Sequence, residues 1–424
     1  MSFWKDMKEK KRIWLVFIPM MLFYASSYFQ RTAIPGTTYS LFQIDYGFSA
    51  AQIGNLTASF VYIYAFCQLV VGMLADKYSG IRIVTVAGAI FCTGVAAFPL
   101  CGNNIHLLYV CRFLMGLGAS ALYLSLVKEA DRLFGRKNYS IIIGIIYFVG
   151  YGGGLFGTLP FGILCRHYDL PTLLYWVAGI TLFLYLFFLA VRSNAPAAPI
   201  SPTRLSLKPL WKIVKMPYCW MLTFSSTVVF SFHSIGQMVF GKKFLQDSAG
   251  LSAVVAESTI FVQTLVCMCA LLSGGILTRM TRNKRKPLII FAPALTLSTA
   301  VMMLCAIYFQ LPAYLYVAGM ILFSAASGFA VVYPMAIQEF NSRDSITLAA
   351  GFANNCNYLG IAIFSPLAGM LLDHFKIPGS TVYPQEAYLW LYGLALIPAI
   401  TAVVFACFIP ETGGHFLHRT QQKG

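Results

Sequence analysis

Apolar stretches of about twenty residues recur from one end of this chain to the other, and they dictate its fold class. A helix needs about 20 apolar residues to cross the hydrocarbon core of a bilayer. Inside that core each backbone polar group must bond within its own segment, so the runs predict helices. They lie at 13–41, 52–75, 83–101, 107–127, 140–164 and 171–191, then at 217–240, 253–278, 287–309, 312–337, 346–372 and 387–409. Of the 424 residues, 58% are hydrophobic and 10% charged, against roughly 25% charged in a soluble domain. Such a chain cannot clothe itself in polar groups for water. The expected fold is an all-α polytopic membrane protein with twelve transmembrane helices.

The net charge of +16 points to nucleic acid only if its placement is ignored. With the N-terminus inside, 24 of the 30 Lys and Arg fall in inner segments, including Lys5, Lys8, Lys10, Lys11 and Arg12. Four fall outside (Arg166, Lys242, Lys243, Lys376), and two, Arg31 and Arg112, lie within helices. One missed helix would scramble this asymmetry. It is the positive-inside pattern, with both termini cytoplasmic, and it assigns the charge to topology, with a lipid bilayer as the partner and no nucleic acid. The eleven cysteines are scattered through apolar segments without a CxxC, so they read as small core residues, neither disulfides nor metal ligands. No small-residue cleavage site follows the basic N-terminus and its apolar run, which predicts an uncleaved first helix.

The helices form two sets of six. Between them residues 192–215 are rich in Pro, Ser and basic residues and read as a cytoplasmic linker, with a short amphipathic helix around Leu207–Val214. Residues 1–191 and 216–424 are then two six-helix bundles. "RHYDLP" at 166–171 answers "DHFKIP" at 373–378, "LYV" at 108–110 answers "LYV" at 315–317, and Gly144 answers Gly351, all at an offset of 207. A six-plus-six parallel repeat of this kind places a substrate cavity at the midplane, between bundles that rock about it.

Four motifs carry a family resemblance. "GMLADKYSGIRI" from Gly72 lies between the second and third helices. "CRFLMGLG" at 111–118 sets an arginine before spaced glycines on the fourth helix. "GILTRMTRNKRK" from Gly275 is a degenerate second copy of the first motif, with Arg279 where an Asp would stand, and "PETGG" at 410–414 follows the last helix. Over essentially its whole length the chain resembles the major facilitator superfamily. Within 31–77 the order Arg31, Ala33, Pro35, Asp45, Gly47, Gln52, Gly54, Phe60, Tyr64, Gln68, Gly72, Asp76, Lys77 is similar to the anion:cation symporter branch. That resemblance implies transport of organic anions, often with protons, and gives Arg31 and Arg112 roles in anion binding or coupling. Two departures matter. The branch often has an acid just before the first arginine, where this chain has Gln30, and a glutamate seven residues after the second, where it has Ala119. The usual proton-coupling carboxylates are absent, which leaves the driving ion open.

The residues themselves support a cavity. A charge inside a membrane helix costs at least about 2.5–3.5 kcal/mol, so Arg31 is expected to face a cavity or a partner. Tyr28, Ser27 and Tyr24 lie at i−3, i−4 and i−7 on its face, and a guanidinium suits bidentate capture of a carboxylate. Snorkelling to the outer interface is the plainer reading of Arg31, and an interfacial or carbonyl-bonding hub that of Arg112. Tyr64 and Gln68 share a face of the second helix; Tyr147 and Tyr151 share one on the fifth, beside "GYGGG" glycines suited to close packing. In the second half, His233 and Gln237 pair at i, i+4, and Asn354, Asn357 and Tyr358 share a face of the eleventh helix. The expected site is lopsided, positive in the first half and neutral-polar in the second, and fits a solute with one carboxylate. His233 and Glu257 are the candidate proton carriers. Gly72, Asp76, Lys77, Arg82, Glu129 and Arg136 are the expected cytoplasmic gate. There Gly80 and Arg82 fall one place late, as if Ser79 were inserted, and Arg279 removes the acid from the second copy, so the gate should work mainly from the first half.

These observations predict a monomeric secondary active transporter of a small polar, anionic organic solute, working by alternating access with proton symport, in a bacterial inner membrane. Nothing resembles a nucleotide-binding loop, so no cofactor and no direct use of ATP is expected. No clustered Ser, His and Asp or metal ligands share one membrane depth, so no enzyme is expected. Export of amphipathic compounds, or import of an amino acid or metal-chelating organic acid, are the alternatives.

Overall fold

The computed structural model describes residues 2–196, 211, 213–282, 284–341 and 346–414. Among the described residues every regular element is a helix. In chain order the long ones are α1 (Ser2–Thr32), α2 (Ala50–Lys77) and α3 (Gly80–Ala97). One helical stretch, Ile105–Phe156, contains two spans. Gly135, at φ 69° and ψ 167°, turns the chain between them, giving α4 (Ile105–Gly135) and α5 (Ile141–His167). Then follow α6 (Leu170–Val191), α7 (Pro217–Ile235), α8 (Ala253–Met280), α9 (Lys286–Tyr308), α10 (Ala313–Phe340), α11 (Ile346–His374) and α12 (Gln385–Phe408). Among the described residues ten helices are long and apolar enough to cross a membrane. Of the two outside that set, α7 is 19 residues long and carries His233, and part of α2 has its side chains outside the described residues. The expected amphipathic helix around Leu207–Val214 lies largely outside the described residues.

Three spans depart from their predicted outlines; the fourth, expected to end at 127, runs on to Gly135 and so carries Lys128, Glu129 and Arg132 on helix. The first was expected over 13–41, yet α1 gives way at Ala33–Thr37 to a wider turn, followed by a short helix, Tyr39–Ile44. Ile34 sits at φ −123° and ψ 116°, the extended conformation that a following proline imposes. The seventh was expected to end at 240, but α7 continues through a wide turn, Gly236–Phe240, into a helix at Gly241–Ala249. Lys242 and Lys243, expected in an outer loop, therefore lie on helix and are tied down. Lys243 Nζ is 2.5 Å from Asp247 Oδ1 one turn on, and Lys242 Nζ is 2.8 Å from Glu257 Oε1.

By its internal contacts the chain divides into two units, Met1–Ala33 with Ser59–Leu205, and Ile34–Ala58 with Ser206–Gly424. Residues 34–58, which the sequence puts in the first half, group with the second unit. Close backbone packing holds them there, with Gly54 against the Ser365 carbonyl and Gly369 against the Ala50 carbonyl, together with the Tyr39–Phe240 ring contact and several polar bonds. Asp373, near the end of α11, accepts from the first two N–H groups of α2, at Ala50 and Ala51, both at 2.8 Å. Lys242 Nζ donates to the Thr37 carbonyl at 2.8 Å.

In the first unit the loop between α2 and α3 explains the apparent insertion. Ser79 is the N-cap of α3, its Oγ accepting from Arg82 N at 3.3 Å, which satisfies an orphan donor of the first turn. Gly80 is buried where a Cβ would stand 2.4 Å from the Ser125 carbonyl of α4, so only glycine lets the two backbones meet. Glu129 of α4 accepts from Ile81 N at 3.3 Å and is ion-paired with Arg132. Arg82 is exposed. Gly72, Asp76, Lys77 and Arg136 lie on helical backbone, but their side-chain surroundings are outside the described residues, as are those of Arg279.

The second unit has a corresponding charged cluster. Arg285, just before α9, pairs with Glu339 at the end of α10 at 2.9 Å, and Thr412 bonds the same carboxylate. Glu411 caps α9, accepting from Arg285 N and Lys286 N at 2.8 Å each. Burial alone would raise the Glu411 carboxyl, but the N–H groups of Arg285, Gly413 and Lys286 outweigh it and hold the carboxyl below its ordinary value. Helices α7, α9, α10 and α11 meet in a buried core that includes Leu222, Ile289, Tyr333, Ile337 and Phe352. In lipid such a core is held by close packing and by bonds such as Tyr333 Oη to the Ile289 carbonyl at 2.8 Å, since hydrocarbon outside is as apolar as leucine inside.

Candidate functional site

Arg31 closes the last turn of α1 and is 2% exposed. Its guanidinium carbon lies 4.1 Å from the ring centre of Tyr64, 4.8 Å from that of Tyr28 and 5.3 Å from that of Phe60. Arg112, on α4 and 1% exposed, lies over the other part of this cluster, 4.7 Å from the Phe60 centre. It donates to the Gln30 carbonyl at 3.1 Å. Both arginines are therefore inside the first unit and share one ring. The reason is local. One turn after Arg112, Gly116 brings α4 against α2 so closely that a Cβ there would lie 2.1 Å from the Phe60 carbonyl.

Sharing that ring keeps the two guanidinium carbons within 10 Å of each other. At about 10 Å and an effective dielectric of 20 their repulsion is about 1.7 kcal/mol, and it grows at any shorter separation. Each cation–π contact returns about 0.5–2 kcal/mol, the more when water is excluded. The result is a buried patch of strong positive potential, held in place by aromatic rings. Gln30, where the symporter branch often has an acid, is buried, and its side-chain oxygen finds no partner among the described residues.

The aromatic face extends from here. Tyr24 packs edge-on to Tyr28 at 5.2 Å, Tyr28 lies 5.5 Å from Tyr151 of α5, and Tyr24 lies 6.0 Å from Tyr123 of α4. Tyr123 and Tyr147 share a hydroxyl contact at 2.7 Å. Of the residues singled out in this half, Arg31, Tyr24, Tyr28, Tyr64, Arg112 and Tyr151 thus form one connected cluster. Gln68 is buried one turn beyond Tyr64. Phe60 and Tyr123 were missed as members. A signal existed for Phe60, because Phe60, Tyr64 and Gln68 repeat at i, i+4, i+8 on one face of α2.

The polar residues of the second unit fall into three groups. His233 Nδ1 lies 2.9 Å from Ser324 Oγ of α10 and 3.2 Å from Gln263 Nε2 of α8. Gln237 donates to Thr264 Oγ1 at 2.6 Å. On α11, Asn357 Oδ1 accepts from Thr227 at 3.1 Å, Tyr358 packs edge-on to Phe230, and Asn354 is half-buried one turn before Tyr358. Nearer the end of the bundle, Lys242, Glu257 and the Thr37 carbonyl form the third group. Glu257 is 2% exposed, and its charge is matched by Lys242. Beside it, Asp247 accepts from Lys243, Tyr383 N and Tyr388 Oη. Burial raises the Asp247 carboxyl above its ordinary value despite Lys243, and burial pushes the Tyr383 hydroxyl up to about 12. Among the described residues no group of three His, Cys, Asp or Glu could hold a metal ion.

The model of the Major Facilitator Superfamily matches residues 20–365. A human protein named voltage-gated purine nucleotide uniporter is 28% identical over 170 residues, 37% of this chain and 36% of that one. A rice (Oryza sativa subsp. japonica) protein named probable anion transporter 2, chloroplastic, is 23% identical over 174 residues, 41% of this chain and 32% of that one. The matched region spans about a third of the length of each of these relatives. Among solved structures, a bacterial homolog of the human lysosomal transporter Spinster superposes with a TM-score of 0.76 at 15% identity, over 96% of this chain and 98% of that one. A D-xylose-proton symporter gives 0.74 at 15%, over 96% and 100%, and the nucleoside transporter NupG gives 0.74 at 14%, over 94% and 100%. At these identities the likeness is one of fold.

Proposed function

The chain belongs to the Major Facilitator Superfamily of transporters, and from that premise we propose that it moves a small organic anion across its membrane by alternating access, driven by proton symport. The observation that carries the reading is the pair of buried guanidiniums around Phe60. Their mutual repulsion is relieved by an anion between or beside them. A carboxylate about 4 Å from one guanidinium gains about 4 kcal/mol of Coulomb attraction at an effective dielectric of 20. The planar forks offer it bidentate hydrogen bonds. Tyr24, Tyr28, Tyr64 and Tyr151 supply rings and hydroxyls for the rest of the solute, with Gln68 beyond them. Gln237, Asn354, Asn357 and Tyr358 are the neutral polar groups that the second unit contributes. The names of the curated relatives, one for purine nucleotides and one for anions, lean the same way.

For coupling, Glu257 is the carrier best placed in charge terms. Protonating it would release Lys242, and with it the bond that Lys242 makes to the irregular end of α1. His233, bonded to Ser324 and Gln263, is the second carrier. The gate on the opposite side is assigned to Gly72, Asp76, Lys77, Arg82, Glu129 and Arg136, with both termini cytoplasmic.

The test is a thermal-shift panel of organic acids, amino acids, sugars and hydrophobic cations on purified protein, followed by uptake into proteoliposomes. A carboxylate at 100 times its Kd should stabilise the protein by about 2.7 kcal/mol. Arg31→Ala should abolish that shift, and Arg31→Lys should recover only part of it, because a point charge lacks the planar fork. Glu257→Gln should keep exchange of the solute and lose its accumulation by a pH gradient. Stabilisation by hydrophobic cations alone, with Arg31→Ala transporting normally, would replace this reading with export of amphipathic compounds.

A further inference from the structure

The second unit holds a cavity of about 590 Å³ between α7, α10, α11 and α12, apart from the polar groups described above. It falls in the size range of small-molecule sites, roughly 300–1,000 Å³, but its chemistry is that of oil. Of its lining side chains only Ser231, Tyr392 and His374 carry polar atoms. His374 is the last residue of α11, so it marks one end of the slot. From His374 inward to Phe364 the wall of α11 runs ten residues, about 15 Å at 1.5 Å per residue. That is half the roughly 30 Å hydrocarbon thickness of a bilayer, the depth of one leaflet.

The mouth lies between α11 and α12, where Leu367, Met370 and Leu394 are each about half exposed. Only 17% of the apolar window of α12 is buried. In a membrane protein so apolar and open a face meets hydrocarbon, because water would gain no partner there. At the His374 end, Lys376 is exposed two residues beyond the helix. The nearest acid, Asp373, is engaged with Ala50 N and Ala51 N. The apolar slot therefore ends beside two exposed nitrogen-bearing side chains, the imidazole of His374 and the ammonium of Lys376.

We propose that this slot binds one acyl chain of an anionic phospholipid, with the phosphate at His374 and Lys376. The Lys376 ammonium and a ring N–H of His374 are donors for the phosphate oxygens, and the slot supplies one-leaflet depth for the tail. The tail would lie against Gly236, Phe240 and Gly241, the wide turn of α7, and fill space that the side chains leave open. A retained lipid would thus brace the irregular part of α7.

The experiment is photolabelling in nanodiscs. The full-length protein is reconstituted with phosphatidylglycerol bearing a diazirine on its acyl chain, and adducts are mapped by mass spectrometry. Adducts should concentrate on residues 364–371 and 391–398. Ala395→Trp, which plugs the slot, should reduce them roughly tenfold and leave those on the exposed Phe183 and Phe187 of α6 unchanged. His374→Glu should reduce labelling by phosphatidylglycerol and not by phosphatidylcholine. Met370→Trp serves as a second plug, and a monodisperse elution profile with the wild-type melting point shows that either variant is folded. Equal labelling of every apolar face, or slot adducts that survive both plugs, would overturn the proposal. Labelling by a free photoreactive fatty acid that phosphatidylglycerol fails to displace would overturn the phospholipid assignment.

Discussion

Phe60 is where the residue scale decides most. Two guanidiniums lie within 5.3 Å of its ring centre, so its π-face offsets part of their repulsion. Phe60→Leu keeps the apolar volume and removes that face. The variant should lose about 1–2 kcal/mol of stability, read as a lower melting point in detergent, and should raise the KM of anion uptake without abolishing it. An unchanged melting point would mean the ring only fills space. Arg31 and its tyrosines were legible in the sequence because helical spacing alone puts Tyr24, Tyr28 and Arg31 on one face. That Arg112 joins them through Phe60 was not, since it depends on how closely α4 meets α2. Lys242 and Lys243 were misread as loop residues for a related reason. An apolar run ends at the first charges, while the helix itself continues to Ala249, where those charges find Glu257 and Asp247.

At the scale of elements, the "GYGGG" stretch shows how unequal adjacent glycines are. A Cβ on Gly153 would stand 2.0 Å from the Ala25 carbonyl of α1, whereas one on Gly152 would meet nothing within 4 Å. Gly153→Ala should force α1 and α5 apart and cost about 1–3 kcal/mol, the usual range for overpacking. Gly152→Ala should be neutral or slightly stabilising, since alanine is the better helix former. Equal melting points for the pair would contradict the packing described. The start of α9 supplies a pH test. Glu411 has its carboxyl held below the ordinary value of 4.5, so its contribution is present above that pH and is lost as the pH falls through the lowered value. Glu411→Gln should therefore be less stable than the wild type at neutral pH, and the gap should close on acidification below about 4.5. A gap that widens toward acid would reverse the sign. The helix count and most boundaries were legible because apolar length is a strong signal. The wide turn at Gly236–Phe240 was not, because it interrupts an apolar run without a proline or a charge; at Ala33–Thr37 the signal was Pro35–Gly36, hidden inside an apolar run.

At the scale of the whole molecule, the repeat and the contacts divide the chain differently, and the difference lies in residues 34–58. By the 207-residue offset they belong to the first half; by contact they belong to the second unit. Asp373 is the main polar tie between this segment and α11. It takes the place that Arg166 holds in the first repeat, so the same position carries opposite charge in the two halves. A carboxylate at the first turn of α2 satisfies two orphan N–H groups and the helix dipole together. A hydrogen bond to a charged group is worth about 1.5–3 kcal/mol. Asp373→Asn keeps the shape and removes the charge, so a loss of about 1.4 kcal/mol should raise the open population roughly tenfold. Hydrogen–deuterium exchange at the amides of Ala50 and Ala51 reads this directly, as faster exchange confined to the first turn of α2 while the Tyr333 core of the second unit keeps its protection. Protection unchanged at Ala50 and Ala51 would show that the segment is held by its apolar contacts, and that the charge at Asp373 serves α11 alone.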